Sequence, residues 1–210
     1  MRTRVVSCDH RLALHWARRY LACGQVVAFP TDTVYGVGAH AFLPDAVAAL
    51  YAIKQRSLDK AIPVLIADVS DIGCVAATVP AAVWRLAEQF WPGGLTLVVP
   101  RAPDLPRIIT AGGNTVAVRC PDHPVPRALM RALGAPLAAT SANLSGQPDP
   151  TTAQQVAAQL VGRLPLILDG GPAPIGTASS VVDVSVSPPR LLRAGAISAA
   201  QLRIWLPDLT

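Results

Sequence analysis

Lys54, Arg56 and Lys60 place three cations in one short stretch of a 210-residue chain in which only 15% of residues are charged. They stand between a helix-like run ending at Lys54 and an apolar run, Ile62-Pro-Val-Leu-Ile-Ala67, that reads as a buried strand. A joint between helix and strand is a loop, and loops on a rigid scaffold are where binding groups usually sit. Lys54 and Arg56 are two apart, so extended backbone would project both to one side. Together they suit a polyanion such as a triphosphate, with the planar donor fork of Arg beside the mobile point charge of Lys. A solvated helix end explains the same residues, because Lys and Arg favour the C-terminal dipole. The cluster alone leaves both readings open.

Two other stretches set polar groups directly after a buried strand. Strand 25–29 and Pro30 lead into Thr31-Asp-Thr-Val-Tyr35-Gly-Val-Gly38, which holds two threonine hydroxyls, a carboxylate, a phenol and two glycines. The carboxyl ends of strands are where open α/β sheets hold ligands. Hydroxyl and phenol groups serve small polar substrates, and glycine lets the backbone approach a ligand closely. An Asx or ST turn is the ordinary alternative. Strand 136–139 leads into Thr140-Ser141-Ala-Asn143-Leu-Ser-Gly146, where Ser141 and Asn143 alternate and can face one phosphate or ribose. The ordinary alternative there is an N-cap and turn. Arg119 and Arg193 each end a strand beside flexible backbone; an Arg fork clamps carboxylates, and a surface strand end accounts for each equally well.

The elements that must position these groups follow from periodicity and turn chemistry. Helices are expected over 9–23, with Asp9 as N-cap and Gly24 as stop, then from Pro44 to Lys54, and over 80–90, 124–133 and 152–161. A short terminal helix is capped by Ser198. Strands are expected at 25–29, 62–67, 95–99, 115–119, 136–139, 165–168 and 181–184, with a last one ending at Arg193. Trp91-Pro-Gly-Gly94 is a strong turn signal.

Composition narrows the class. The length suits one sizeable domain, residues 1–210, and 51% hydrophobic residues predict a buried core and not disorder. Apolar runs are broken before membrane-spanning length, and the N-terminus has no apolar signal-peptide core. Cys8, Cys23, Cys74 and Cys120 show no Cys-x-x-Cys pairing, which fits a reducing cytoplasm. The four histidines show no metal-ligand spacing, and no metal-binding residues are expected. A net charge of +5 favours anionic ligands, nucleotides or RNA, but the arginines are scattered without a basic–aromatic stripe. GxxxxGK[ST], GxGxxG and GxSxG motifs are all missing.

Taken together, the chain resembles the YrdC/TsaC family of threonylcarbamoyl-AMP synthases. The matching stretches, in the family's order, are Phe29-Pro-Thr-Asp-Thr-Val-Tyr-Gly-Val-Gly38, Lys54-Gln-Arg56, Phe90-Trp-Pro-Gly-Gly-Leu-Thr96, Val116-Ala-Val-Arg119, Ala139-Thr-Ser-Ala-Asn143-Leu-Ser-Gly146, Ser179-Ser-Val-Val-Asp183 and Leu192-Arg-Ala-Gly195. The resemblance implies an α/β fold, an open, twisted, mixed sheet flanked by helices, in the short single-domain form. It implies joining L-threonine, bicarbonate or CO2, and ATP into threonylcarbamoyl-AMP and pyrophosphate, with Mg²⁺ carried on the phosphates. The product would serve tRNA modification at adenosine 37, completed by downstream threonylcarbamoyl-transfer proteins, with tRNA itself a possible partner. By the same resemblance Lys54 and Arg56 are catalytic and hold ATP with Lys60, Thr115, Ser141, Asn143 and Arg193. Thr33, Tyr35, Arg119, Ser179 and Ser180 would hold threonine. A carbamoyl-adenylate-forming enzyme of the same fold and a non-catalytic RNA-binding module are the alternatives.

Overall fold

A computed structural model of the chain describes residues 2–210. Short strands rich in Val, Leu, Ile and Ala alternate with helices. In chain order they are β1 (Arg4–Ser7), α1 (Ala13–Ala22), β2 (Val27–Phe29), β3 (Gly36–His40), α2 (Pro44–Lys54), β4 (Val64–Leu65), α3 (Ala81–Phe90), β5 (Leu95–Pro100), β6 (Thr115–Arg119), α4 (Pro124–Leu133), β7 (Leu137–Ser141), α5 (Ala153–Leu160), β8 (Leu166–Asp169), β9 (Ser180–Asp183), β10 (Arg190–Arg193) and α6 (Ala199–Trp205). The ten strands form one sheet in the order β1-β8-β2-β3-β7-β4-β6-β5-β9-β10. Parallel pairs such as β1–β8 and β5–β9 mix with antiparallel ones such as β3–β7 and β5–β6. The open, mixed α/β sheet expected from the sequence is therefore the fold.

Side chains alternate faces along a strand, and that alternation creates the opening. On one face Val37, Val64, Leu95, Leu97, Val116, Val118, Ile167 and Val182 pack under α2, α3, α5 and α6 in a single continuous core. On the other face α1 and α4 cover only the part of the sheet from β8 to β4, where Ala13, Ala17, Leu21, Leu129 and Met130 meet Val27, Phe29, Leu65, Leu137, Leu166 and Leu168. Among the described residues no helix covers that face over β6, β5, β9 and β10. The residues there, Thr115, Ala117, Arg119, Thr96, Val98 and Val181, border a cavity instead.

Four local expectations are corrected. Asp9 does not cap α1: residues 4–7 form an unexpected strand, Asp9 lies in the turn after it with its amide donating to Ser7 Oγ, and the helix begins after Leu12. The glycine-bearing stretch after Tyr35 is not loop but strand β3, paired antiparallel with β2. Its glycines admit the Phe29 ring: a Cβ on Gly36 would lie 2.9 Å from Phe29 Cε2, and one on Gly38 3.2 Å from Cε1. The buried run 62–67 pairs as a strand only at Val64–Leu65, and a 3-10 turn (Val69–Cys74) follows it. Strand β7 runs on to Ser141, so the seryl group is held by the sheet and not by the following loop.

Candidate active site

The cavity encloses about 440 Å³, within the range of roughly 300–1,000 Å³ common for small-ligand sites. Its lining includes the hydroxyl-bearing residues Thr31, Thr33, Thr96, Thr115, Thr140, Ser141 and Ser179. It also gathers the cations Arg56, Arg119 and Arg193 and a single carboxylate, Asp149. Three guanidiniums against one carboxylate make it a site for an anion, and the neutral hydroxyls add donors and acceptors for a polar substrate.

Its deep end is built on Arg119, the last residue of β6. The residue is 7% exposed. Nε donates to the Gly93 carbonyl (2.9 Å), Nη1 to Thr33 Oγ1 (2.8 Å) and Nη2 to Asp32 Oδ1 (2.5 Å). Burial lowers its affinity for the proton, and the Asp32 charge opposes that. Three of the five N–H groups are engaged and two have no hydrogen-bond partner among the described residues. Asp32 Oδ2 is buried without a partner. Thr33 is held from its other side by Thr31, whose hydroxyl lies 3.1 Å away. Thr96 and Ser179 hydroxyls are 2.8 Å apart, and Arg193 donates to Ser179 from both Nε and Nη2.

The Ser179 region depends on one glycine. A Cβ on Gly195 would strike the Ala178 carbonyl and lie 2.6 Å from the Ser179 carbonyl carbon. Gly195→Ala is expected to cost about 1–3 kcal/mol by overpacking, read by urea denaturation. A loss under about 0.5 kcal/mol would show that the backbone yields there freely.

Lys54 lies behind the wall and not on it. It ends α2, is 2% exposed, and donates from Nζ to Ser141 O (2.5 Å), Asn143 O (2.7 Å) and Asn143 Oδ1 (3.1 Å). Burial and then the Arg56 charge push its pKa down to about 8. It is therefore charged at neutral pH, with one oxygen for each proton. Gln55 takes a left-handed conformation (φ 53°), so Lys54 and Arg56 do not share the extended backbone that their spacing assumed. Arg56 reaches the cavity, steadied by the Lys60 and Ala61 carbonyls. Asn143 likewise lies behind the wall, accepting from Ser141 Oγ (2.6 Å) and donating to the Gln147 carbonyl.

Of the twelve residues singled out in the sequence, Thr33, Tyr35, Arg56, Thr115, Arg119, Ser141, Ser179 and Arg193 border one cavity. The Tyr35 hydroxyl turns away, donating to the Gly171 carbonyl at 2.6 Å, and burial raises its pKa to about 12. Lys60 is exposed outside the wall and contributes its carbonyl. Ser180 is fully buried and exchanges hydrogen bonds with the Ile197 backbone, tying the segment after β10 to the sheet. Thr96, Asp149 and Leu192 on the wall were not singled out. Thr96 was findable, as the one polar residue in an otherwise apolar strand; Asp149, between two prolines, carries no such signal.

The Sua5/YciO/YrdC family profile, described as telomere recombination, matches residues 19–195. A threonylcarbamoyl-AMP synthase of Bacillus subtilis (strain 168) is 49% identical over 180 residues, covering 85% of this chain and 52% of that protein. A threonylcarbamoyl-AMP synthase of Pyrococcus abyssi is 40% identical over 202 residues, covering 96% of this chain and 58% of that protein. The chain thus spans little more than half the length of these two curated relatives. The crystal structure of P. abyssi Sua5 complexed with L-threonine superposes with a TM-score of 0.94 at 37% identity, covering 99% of this chain and 63% of that one.

Proposed function

We propose, from the premise that this chain belongs to the Sua5/YciO/YrdC family, that it is a threonylcarbamoyl-AMP synthase. The observation that carries the reading is a single cavity bordered by Thr33, Arg56, Arg119, Ser141, Ser179 and Arg193, groups far apart along the chain. The deep end suits a small amino acid. Arg119 would take the carboxylate of L-threonine with its two free N–H groups, while Thr33 and Ser179 hold the polar atoms nearby. Arg56 and Ser141 would hold the phosphates of ATP, with Lys54 and Asn143 supporting Ser141 from behind.

The threonine amine adds to CO2, loses a proton and becomes a carbamate. A carbamate oxygen then attacks the α-phosphorus, and the bond to the bridging oxygen breaks as pyrophosphate leaves. Such displacements depend on alignment and on charge stabilisation. The wall supplies both through Arg56, Arg193 and the hydroxyls. ATP would enter as its magnesium complex. Among the described residues no group of three or more His, Cys, Asp or Glu stands together, and the wall's only carboxylate is Asp149. That donor set fits a cation carried on phosphates, with Asp149 its one candidate protein ligand. Among the described residues no helix is long and apolar enough to cross a membrane. A cytoplasmic enzyme, passing its adenylate to a protein that modifies tRNA, is the setting this reading implies.

The test is pyrophosphate release from ATP by the purified chain. Release is expected only when L-threonine and bicarbonate are both present, together with a threonylcarbamoyl adenylate detected by mass spectrometry. Release that ignores threonine, or that requires carbamoyl phosphate instead, rejects the assignment.

A further inference from the structure

At its far edge, β10, the sheet departs from regular pairing. Arg190 pairs with Asp183 and Leu191 with Val182, but Val181 is met by Arg193, leaving Leu192 without a register partner. This is a β-bulge, a device that re-aims side chains beside active sites. In a regular strand Leu192 and Arg193 would point to opposite faces; here both border the cavity. Leu192 is 57% exposed, and of the large apolar side chains left exposed among the described residues it alone borders the cavity.

The strand order says what this leucine faces. The phosphate-binding groups lie at the other end, with Ser141 on β7 and Arg56 in the loop before β4. From β7 to β10 is five strand spacings, about 24 Å along the sheet at about 4.8 Å each. The buried threonine end, at Arg119 and Ser179, lies between. A nucleotide with its triphosphate at β7 and its α-phosphorus beside the amino acid extends its nucleoside toward β10. A purine ring needs an apolar surface on at least one face. We propose that Leu192 is the platform for the nucleobase of the ATP substrate, with the stem of Arg193, brought to the same face by the bulge, beside it. This inference rests on the synthase reading above.

The test separates base from phosphate. Binding of ATP and of inorganic tripolyphosphate is measured by calorimetry on the wild-type chain and on the Leu192→Ser and Leu192→Met variants. Leu192→Ser is expected to weaken ATP binding about tenfold, by exposing the ring to water, and to leave tripolyphosphate within twofold. Leu192→Met, which keeps an apolar surface, is expected to bind ATP like wild type. Thermal midpoints of all three should agree, since the position is exposed. Unchanged ATP affinity in Leu192→Ser overturns the platform, and so does an equal loss for both ligands. A wild-type chain that binds tripolyphosphate but not ATP, or binds neither, overturns the synthase reading together with the platform.

Discussion

Arg119→Met is expected to cost about 3–5 kcal/mol of folding stability and to abolish threonine-dependent pyrophosphate release. The reason is what it leaves behind. Asp32 is 4% exposed, and its Oδ2 has no partner even in the intact protein. Removing the guanidinium strips Oδ1 as well, so a carboxylate would be buried with no counter-charge. At about 2–4 °C per kcal/mol for a chain of this size, the thermal midpoint should fall by roughly 10 °C. The double variant Asp32→Asn with Arg119→Met tests the cause, because it removes both charges. It should recover much of the lost stability while remaining inactive. A double variant no more stable than Arg119→Met would mean that Arg119 stabilises by its contacts with Gly93 and Thr33, and not by balancing Asp32.

Lys54→Met is expected to lose about 3 kcal/mol and most of the activity. Methionine keeps most of the side chain's length, so the change removes the ammonium more than the packing. Three oxygens that now share it, the Ser141 carbonyl and both oxygens of Asn143, would lose a charged donor. The Ser141–Asn143 segment would then be free to rearrange at the phosphate end of the cavity. Chemical denaturation alongside the pyrophosphate assay separates two roles. If the variant is as stable as wild type but inactive, Lys54 serves the substrate directly. A matched fall in stability and activity means that it acts through the segment it holds.

These outcomes turn on groups that the sequence displayed only in part. Ser179 was marked only by the family resemblance, but chain order and residue type were enough to mark strand ends carrying Arg119 and Arg193, the hydroxyls at Thr33 and Ser141, and Arg56 in its loop. Each is polar where an apolar run stops, and that contrast is local. Most of the helices were legible for the same reason, since α2, α3 and α4 carry their apolar period and their proline starts within one segment.

What could not be read locally depends on partners distant along the chain. Strand β1 exists because β8, some 160 residues on, offers it an edge, and the misplaced Asp9 cap follows from missing that strand. Lys54 became a buried support when Gln55 turned left-handed and the loop after β7 brought oxygens to its ammonium. The glycines of β3 answer to the Phe29 ring across the hairpin. Arg193 joins Leu192 on the cavity face only because β10 slips by one residue against β9. The chemistry of the groups was therefore set by the sequence itself. Which of them share one space was decided by strand order and by the partial cover of one sheet face, because burial and register are properties of neighbours that only folding brings together.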